Sequence, residues 1–118
     1  MSSTAEKLQR ARQLQDEGRF LAAADLLLAA FRASPHSGEV ACELGQVLLA
    51  AGDPAGALGF LERARHADPA DPAPLRASLE ALRLLGREEQ AARALVDGLA
   101  AGIDPVELAL DLVRDAAA

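Results

Sequence analysis

The sequence predicts an all-α fold built from stacked helix pairs, and three observations carry that prediction. Residues of one class recur every 34 positions along the 118-residue chain. Within each period, two segments place apolar residues at steps of three and four, the spacing of one face of a helix. A glycine separates the two segments, and in the first two periods a proline follows the second. The recurrence runs through Leu14, Leu48 and Leu82, then Gly18, Gly52 and Gly86. It continues through Ala23, Ala57 and Ala91, then Leu27, Leu61 and Leu95, then Ala33, Ala67 and Ala101. Ala30 matches Ala64 and Pro35 matches Pro69. A fixed period of this length marks a solenoid, in which each unit buries its apolar face against the next.

The elements follow in order. Leu8, Ala11 and Leu14 form the apolar stripe of a first helix, and Gly18 ends it, because a left-handed residue is cheap only without a Cβ. Ala23, Leu27 and Ala30 give the second helix its stripe, and Pro35 stops it. The alanines at 23, 57 and 91 come early in each second helix, where a lone methyl lets two helices approach closely. After the third unit, Asp104-Pro105-Val106-Glu107 reads as a helix start: Asp as N-cap, Pro at the first turn and Glu three residues after the cap. This last helix is expected over residues 105–116, with Val106, Ala109, Leu110 and Val113 as its apolar stripe, widened by Leu112.

The 34-residue unit, with its small, apolar and proline slots, resembles the tetratricopeptide repeat. Placing Gly18, Gly52 and Gly86 at the turn gives units Thr4–Ser37, Gly38–Asp71 and Pro72–Pro105 in one domain spanning residues 1–118. The second unit matches best: Leu44-Gly45 and Leu48 in the first helix, Gly52-Asp53 at the turn, then Ala57, Leu61, Ala64 and Pro69. The first unit departs by carrying Lys7 and Arg10 in large apolar slots, which suits a terminal unit with no neighbour on that side. The third departs with Ser78-Leu79 in the Leu-Gly slot, Gly98 where Ala is usual, and Ile103 where the proline would fall. The resemblance implies a right-handed superhelical array of seven helices, the last one capping the exposed end.

Composition narrows the function. One domain fits this length. The net charge of −6 argues against nucleic acid and against an anionic membrane surface, both of which attract basic patches. A single cysteine permits no internal disulfide and builds no zinc site alone. The N-terminus lacks the basic and apolar regions of a signal peptide, and no apolar stretch reaches membrane-spanning length. The expectation is therefore a cytoplasmic chain, with a start and a terminal helix that suit an intact protein. No cofactor is expected.

No residue set points to catalysis. His36 and His66 lack a partner at metal-ligand spacing and read as surface residues. Cys42 sits beside Glu39 and Glu43, whose charges oppose thiolate formation, so it reads as a packing or groove residue. Asp68, Asp71 and Asp104 lie at helix boundaries, where capping accounts for them. Phe20 and Phe31 read as core. The chain is expected not to be an enzyme.

Function then belongs to surfaces. In the resembling family, the first helices of successive units line a concave groove for a peptide or helix. Carried over by position, the groove comprises Leu8, Arg12 and Gln15; Glu39, Cys42, Glu43, Gln46 and Leu49; and Arg76, Glu80 and Arg83, with Ala73 and Ala77 beside them. It is acidic in the middle and basic at both ends. The same residues can be read as a solvated face with pairs such as Arg76–Glu80. A clamp for a C-terminal carboxylate is disfavoured, since Glu43 would repel it. Separately, Leu26, Leu28 and Phe60 fall off the packed stripes and mark an expected partner or homodimer face, unless repeat geometry buries them between neighbours. The reading is a non-catalytic adaptor for a protein or peptide partner, chaperone-like in a bacterial assembly or secretion system. The alternative is a homo-oligomerisation module using the convex face or the terminal helix.

Overall fold

Caps and turns set every boundary in the chain. The computed structural model describes residues 3–109. Six helices are complete: α1 (Thr4–Asp16), α2 (Phe20–Ala33), α3 (Gly38–Ala50), α4 (Pro54–Ala67), α5 (Pro72–Leu84) and α6 (Glu88–Ala100). A seventh, α7, is described over residues 105–109. The architecture is the superhelical repeat array that the resemblance implies. Thr4, Gly38 and Pro72 open the odd-numbered helices, so the 34-residue period is also the spacing of helix starts. Ser3, Ser37 and Asp71 cap these helices by accepting from the amides of Glu6, Val40 and Ala73. Each such bond satisfies one of the amides that a helix start leaves without an internal partner.

The turn inside each pair is one device repeated. Gly18, Gly52 and Gly86 have φ of 75°, 89° and 72°. The amide that follows each glycine reaches back across the helix end, as in Asp53 N to Leu48 O at 2.9 Å. The glycine amide itself bonds one turn back, Gly52 N to Leu49 O at 3.1 Å. This paired pattern is the Schellman stop, and it requires a left-handed residue at the glycine. Replacing Gly52 with alanine is expected to lower the unfolding free energy by about 1–2 kcal/mol, the usual cost of a left-handed L-residue. Urea denaturation followed by circular dichroism would measure it.

Packing follows the repeat. Each helix packs on its chain neighbours from α1 to α6, and the odd-numbered helices also touch one another, α1 with α3 and α3 with α5. The even-numbered helices meet through long side chains, such as Phe31 of α2 against Phe60 of α4. The odd-numbered helices therefore form the tighter, inner layer, and the array bends around them. One core cluster joins Leu8, Ala11, Leu14, Leu27, Val40, Leu44 and Val47 across the first three helices. Another joins Leu58, Leu75, Leu82, Ala94, Ile103 and Leu108 toward the C-terminal end.

Three expectations change. Leu26, Leu28 and Phe60, expected on an exposed face, are half-buried against the first core cluster. Phe60 sets its ring edge-on to Phe31, with centroids 5.2 Å apart, so the repeat interface consumes the patch. Leu8, expected in the groove, is 6% exposed and belongs to the core, because its row lies on the seam where α1 meets α3. In α7 the buried residue is Leu108, while Val106 and Ala109 are exposed. The remainder of the expected stripe, Leu110, Leu112 and Val113, lies outside the described residues.

Candidate functional site

The concave layer gathers most of the predicted groove residues into two adjoining features. The first is a polar bridge between α1 and α3. Arg12 donates through Nε and Nη2 to Glu43 Oε1, each at 3.1 Å, and through Nη2 to Glu39 Oε1 at 3.1 Å. Gln15 Nε2 lies 3.5 Å from Glu43 Oε2. Arg12 sits one turn after Leu8 on α1, and Glu39 and Glu43 are one turn apart on α3, so the guanidinium spans both carboxylates. Glu43 is the sheltered partner, its side chain 18% exposed against 63% for Glu39. The hydrogen bond and charge of Glu43, followed by Glu39, hold the Arg12 guanidinium above its ordinary pKa.

The second feature is a cavity of about 550 Å³ at the N-terminal ends of α3 and α5. Glu39, Cys42, Glu43 and Gln46 of α3 form one wall, and Ala73 and Pro74 of α5 another. Ala64 and Ala67 of α4, with Asp68, Asp71, His36 and Gly38, complete it. Its apolar lining comes from short side chains, and carboxylates surround them. The Cys42 thiol is pushed up to about 11, first by burial, then by Asp71 and Glu43, with Arg76 opposing. At neutral pH it is a protonated wall residue. The neighbouring charge that matters most is Asp71, from the end of the same repeat, rather than the adjacent Glu39.

The other predicted positions are placed as follows. Leu49 is half-buried, packed between the second and third units. Arg76 is half-buried, and Glu80 and Arg83 are exposed on α5. No Arg76–Glu80 ion pair forms among the described residues; the salt bridges there are those of Arg12. Asp71 caps α5 by accepting from the amide of Ala73, and Asp68 accepts from the amide of Ala70 within the turn after α4. What capping alone conceals is that both also line the cavity. The signal lies in the period, which sets the loop before α5 beside the start of α3.

Elsewhere, His66 places Nδ1 3.0 Å from the carbonyl of Glu62, one turn back on its own helix. Among the described residues, no three His, Cys, Asp or Glu side chains gather as metal ligands. No helix of the described residues is long and apolar enough to cross a membrane. Among the described residues, the large apolar side chains left exposed are Leu21, Leu84, Val96, Leu99 and Val106, four of them toward the C-terminal end.

Comparison with known proteins places this geometry. A search among curated proteins finds no match. Among solved structures, the chain is similar to one in the CopN–Scc3 complex, with a TM-score of 0.83 and 15% identity over 94% of this chain and 67% of that one. It is similar to the type III secretion chaperone SycD of Yersinia enterocolitica, solved with a peptide of the translocator YopD. There the TM-score is 0.81 and the identity 16%, covering 96% of this chain and 86% of that one. The globular C-terminal domain of LpoP from P. aeruginosa superposes with a TM-score of 0.73 at 27% identity, over 83% of this chain and 96% of that domain. The sequence model of the tetratricopeptide repeat matches residues 14–82, more than half of the chain and the stretch that holds the turn glycines Gly18 and Gly52. The chain belongs to the tetratricopeptide-repeat family.

Proposed function

We propose that the protein is a non-catalytic adaptor that holds a peptide or helix of a protein partner in the concave groove of α1, α3 and α5. The observation that carries the reading is the cavity between α3 and α5, on the same helices as the polar side chains Glu39, Glu43 and Gln46 of α3 and Arg76, Glu80 and Arg83 of α5. A preformed cleft lowers the ordering cost of binding. Its charges set orientation more than affinity. The finer part of the proposal is a chaperone-like role in a bacterial assembly or secretion system, in the cytoplasm. It is supported by analogy of fold with SycD and the CopN–Scc3 complex, at identities that speak for the fold alone.

Charge reversal tests the groove. Arg12 is unsuitable for it, because its guanidinium links α1 to α3 and its loss would disturb the scaffold. Arg76 and Arg83 lie on the groove side of α5, and neither makes an ion pair among the described residues. Peptides selected from a random library on the parent chain are expected to bind the Arg76→Glu/Arg83→Glu variant about tenfold more weakly, a change of about 1.4 kcal/mol. Amide shifts of the labelled chain should then map to α1, α3 and α5. Shifts confined to α2, α4 and α6 would overturn the groove reading and move recognition to the convex face.

A further inference from the structure

We propose that the cavity between α3 and α5 is a subsite for a cationic side chain, a lysine or arginine of the bound partner segment, and this rests on the groove reading above. Three features of the cavity argue for it. The apolar part of its lining is built from Cys42, Ala64, Ala67, Ala73 and Pro74. That suits a methylene stem, since long cationic side chains lay their stems on apolar surface and keep the charged head at the wet end. The volume of about 550 Å³ lies within the range of built ligand sites.

The rim is acidic beyond its own needs. Glu39, Glu43, Asp68 and Asp71 all line the cavity. Arg12 answers Glu39 and Glu43 together, one cation for two carboxylates. Asp68 and Asp71 each give one oxygen, Oδ1, to a backbone amide. Neither has a cation within salt-bridge distance among the described residues. A head group arriving between them meets carboxylate oxygens without displacing an internal partner. The Cys42 thiol registers the same carboxylates. It is 8% exposed, faces the cavity and has no hydrogen-bond partner among the described residues. The carboxylates of Asp71 and Glu43 raise its pKa further than burial alone, against the opposing charge of Arg76, so the net potential at this wall is negative. The whole chain carries −6, which steers a cationic segment toward it.

The test is a random-peptide library displayed on phage and selected on the full chain, with a Glu39→Gln/Asp68→Asn/Asp71→Asn variant alongside. The amides keep the oxygens that accept from Ala70 and Ala73, so the variant removes charge and leaves those hydrogen bonds. A second variant, Gln46→Arg, brings the chain's own cation to the cavity wall and should block the subsite without touching a cap. On the parent, lysine and arginine are expected to be enriched severalfold at one peptide position beside small apolar residues. Both variants should lose that enrichment while keeping the other preferences. Peptides that bind the groove with no cationic enrichment, or enrichment that survives both variants, would overturn the subsite and leave the groove reading standing. Selection of no peptide at all would overturn both.

Discussion

Replacing Leu61 with alanine is expected to lower the unfolding free energy by about 2–5 kcal/mol, the range for emptying a fully buried leucine site. Leu61 has no exposed surface and packs with Ala57 and Ala77, backed by Leu48 and Leu49. It therefore touches α3, α4 and α5 at once. Its position is possible because Gly45 faces it across the helix pair. A Cβ on Gly45 would lie 2.5 Å from Leu61 Cγ and 3.3 Å from the Ala57 carbonyl oxygen. Gly45→Ala is consequently expected to cost about 1–3 kcal/mol by overpacking. The two substitutions should not add. In the double variant the new methyl enters space that Leu61 has left, so the total should fall short of the sum by about 0.5 kcal/mol or more. Urea denaturation of the four proteins closes the cycle. Strict additivity would mean that the Gly45–Leu61 contact is not what sets the spacing of α3 and α4. In a repeat array, stability is the sum of unit and interface contributions, and Leu61 serves the middle unit together with its contact to the third.

The fold was legible because a period reports on every element at once. Each turn glycine, each small residue at a close approach and each cap appears three times or nearly so, and chance matches do not. The departures were legible as departures but not as compensations. Gly98 stands where the first two units have Ala30 and Ala64. The structure supplies the reason: a Cβ on Gly98 would collide with Leu75 Cδ2, and Leu75 occupies the slot held by Ala41 in the unit before. In the second unit, Ala41 and Ala64 share a core cluster as two small partners. In the third, a large residue is matched by a glycine. A periodic alignment shows the two slots but not that they touch.

The candidate site was less legible for a related reason. The period identifies which helices are neighbours, not the lateral offset between them. Arg12 reaches Glu43 and Glu39 rather than its own repeat equivalent, Gln46. From the sequence, Leu8 stood both in the apolar stripe of the first helix and, by the position carried over from the family, in the groove. Leu26, Leu28 and Phe60 are half-buried against the first core cluster, the alternative that repeat geometry had left open. Phe31 and Phe60, on different repeats, meet edge to face, a contact that no single helix shows.

Cys42 reads out the electrostatics of the groove directly. Its thiol is held near 11, against an ordinary value of 9.0, by burial first and by Asp71 and Glu43 next. At pH 8 the thiolate fraction is thus about a hundredfold below that of a free cysteine. Iodoacetamide is expected to alkylate the folded chain at least about a hundredfold more slowly than it alkylates a free cysteine, with normal rates in urea, since the thiolate is the nucleophile. The same shift fixes the pH dependence of stability. Between about pH 9 and 11 the unfolded chain releases the thiol proton while the folded chain retains it, so the unfolded state binds fewer protons and stability falls as pH rises. Below that window both states are protonated, and above it both are ionised, so the slope vanishes on either side. The window is unusually clear, because the chain has no tyrosine and Lys7 is its only lysine. Cys42→Ala should remove the slope. Asp71→Asn should shift the window downward by the smaller, electrostatic share and leave the larger share due to burial. A slope unchanged in Cys42→Ala would mean that the thiol is already as accessible in the folded chain as in the unfolded one. The wall of the cavity would then be open to water, and a buried methylene stem would have nothing dry to lie against.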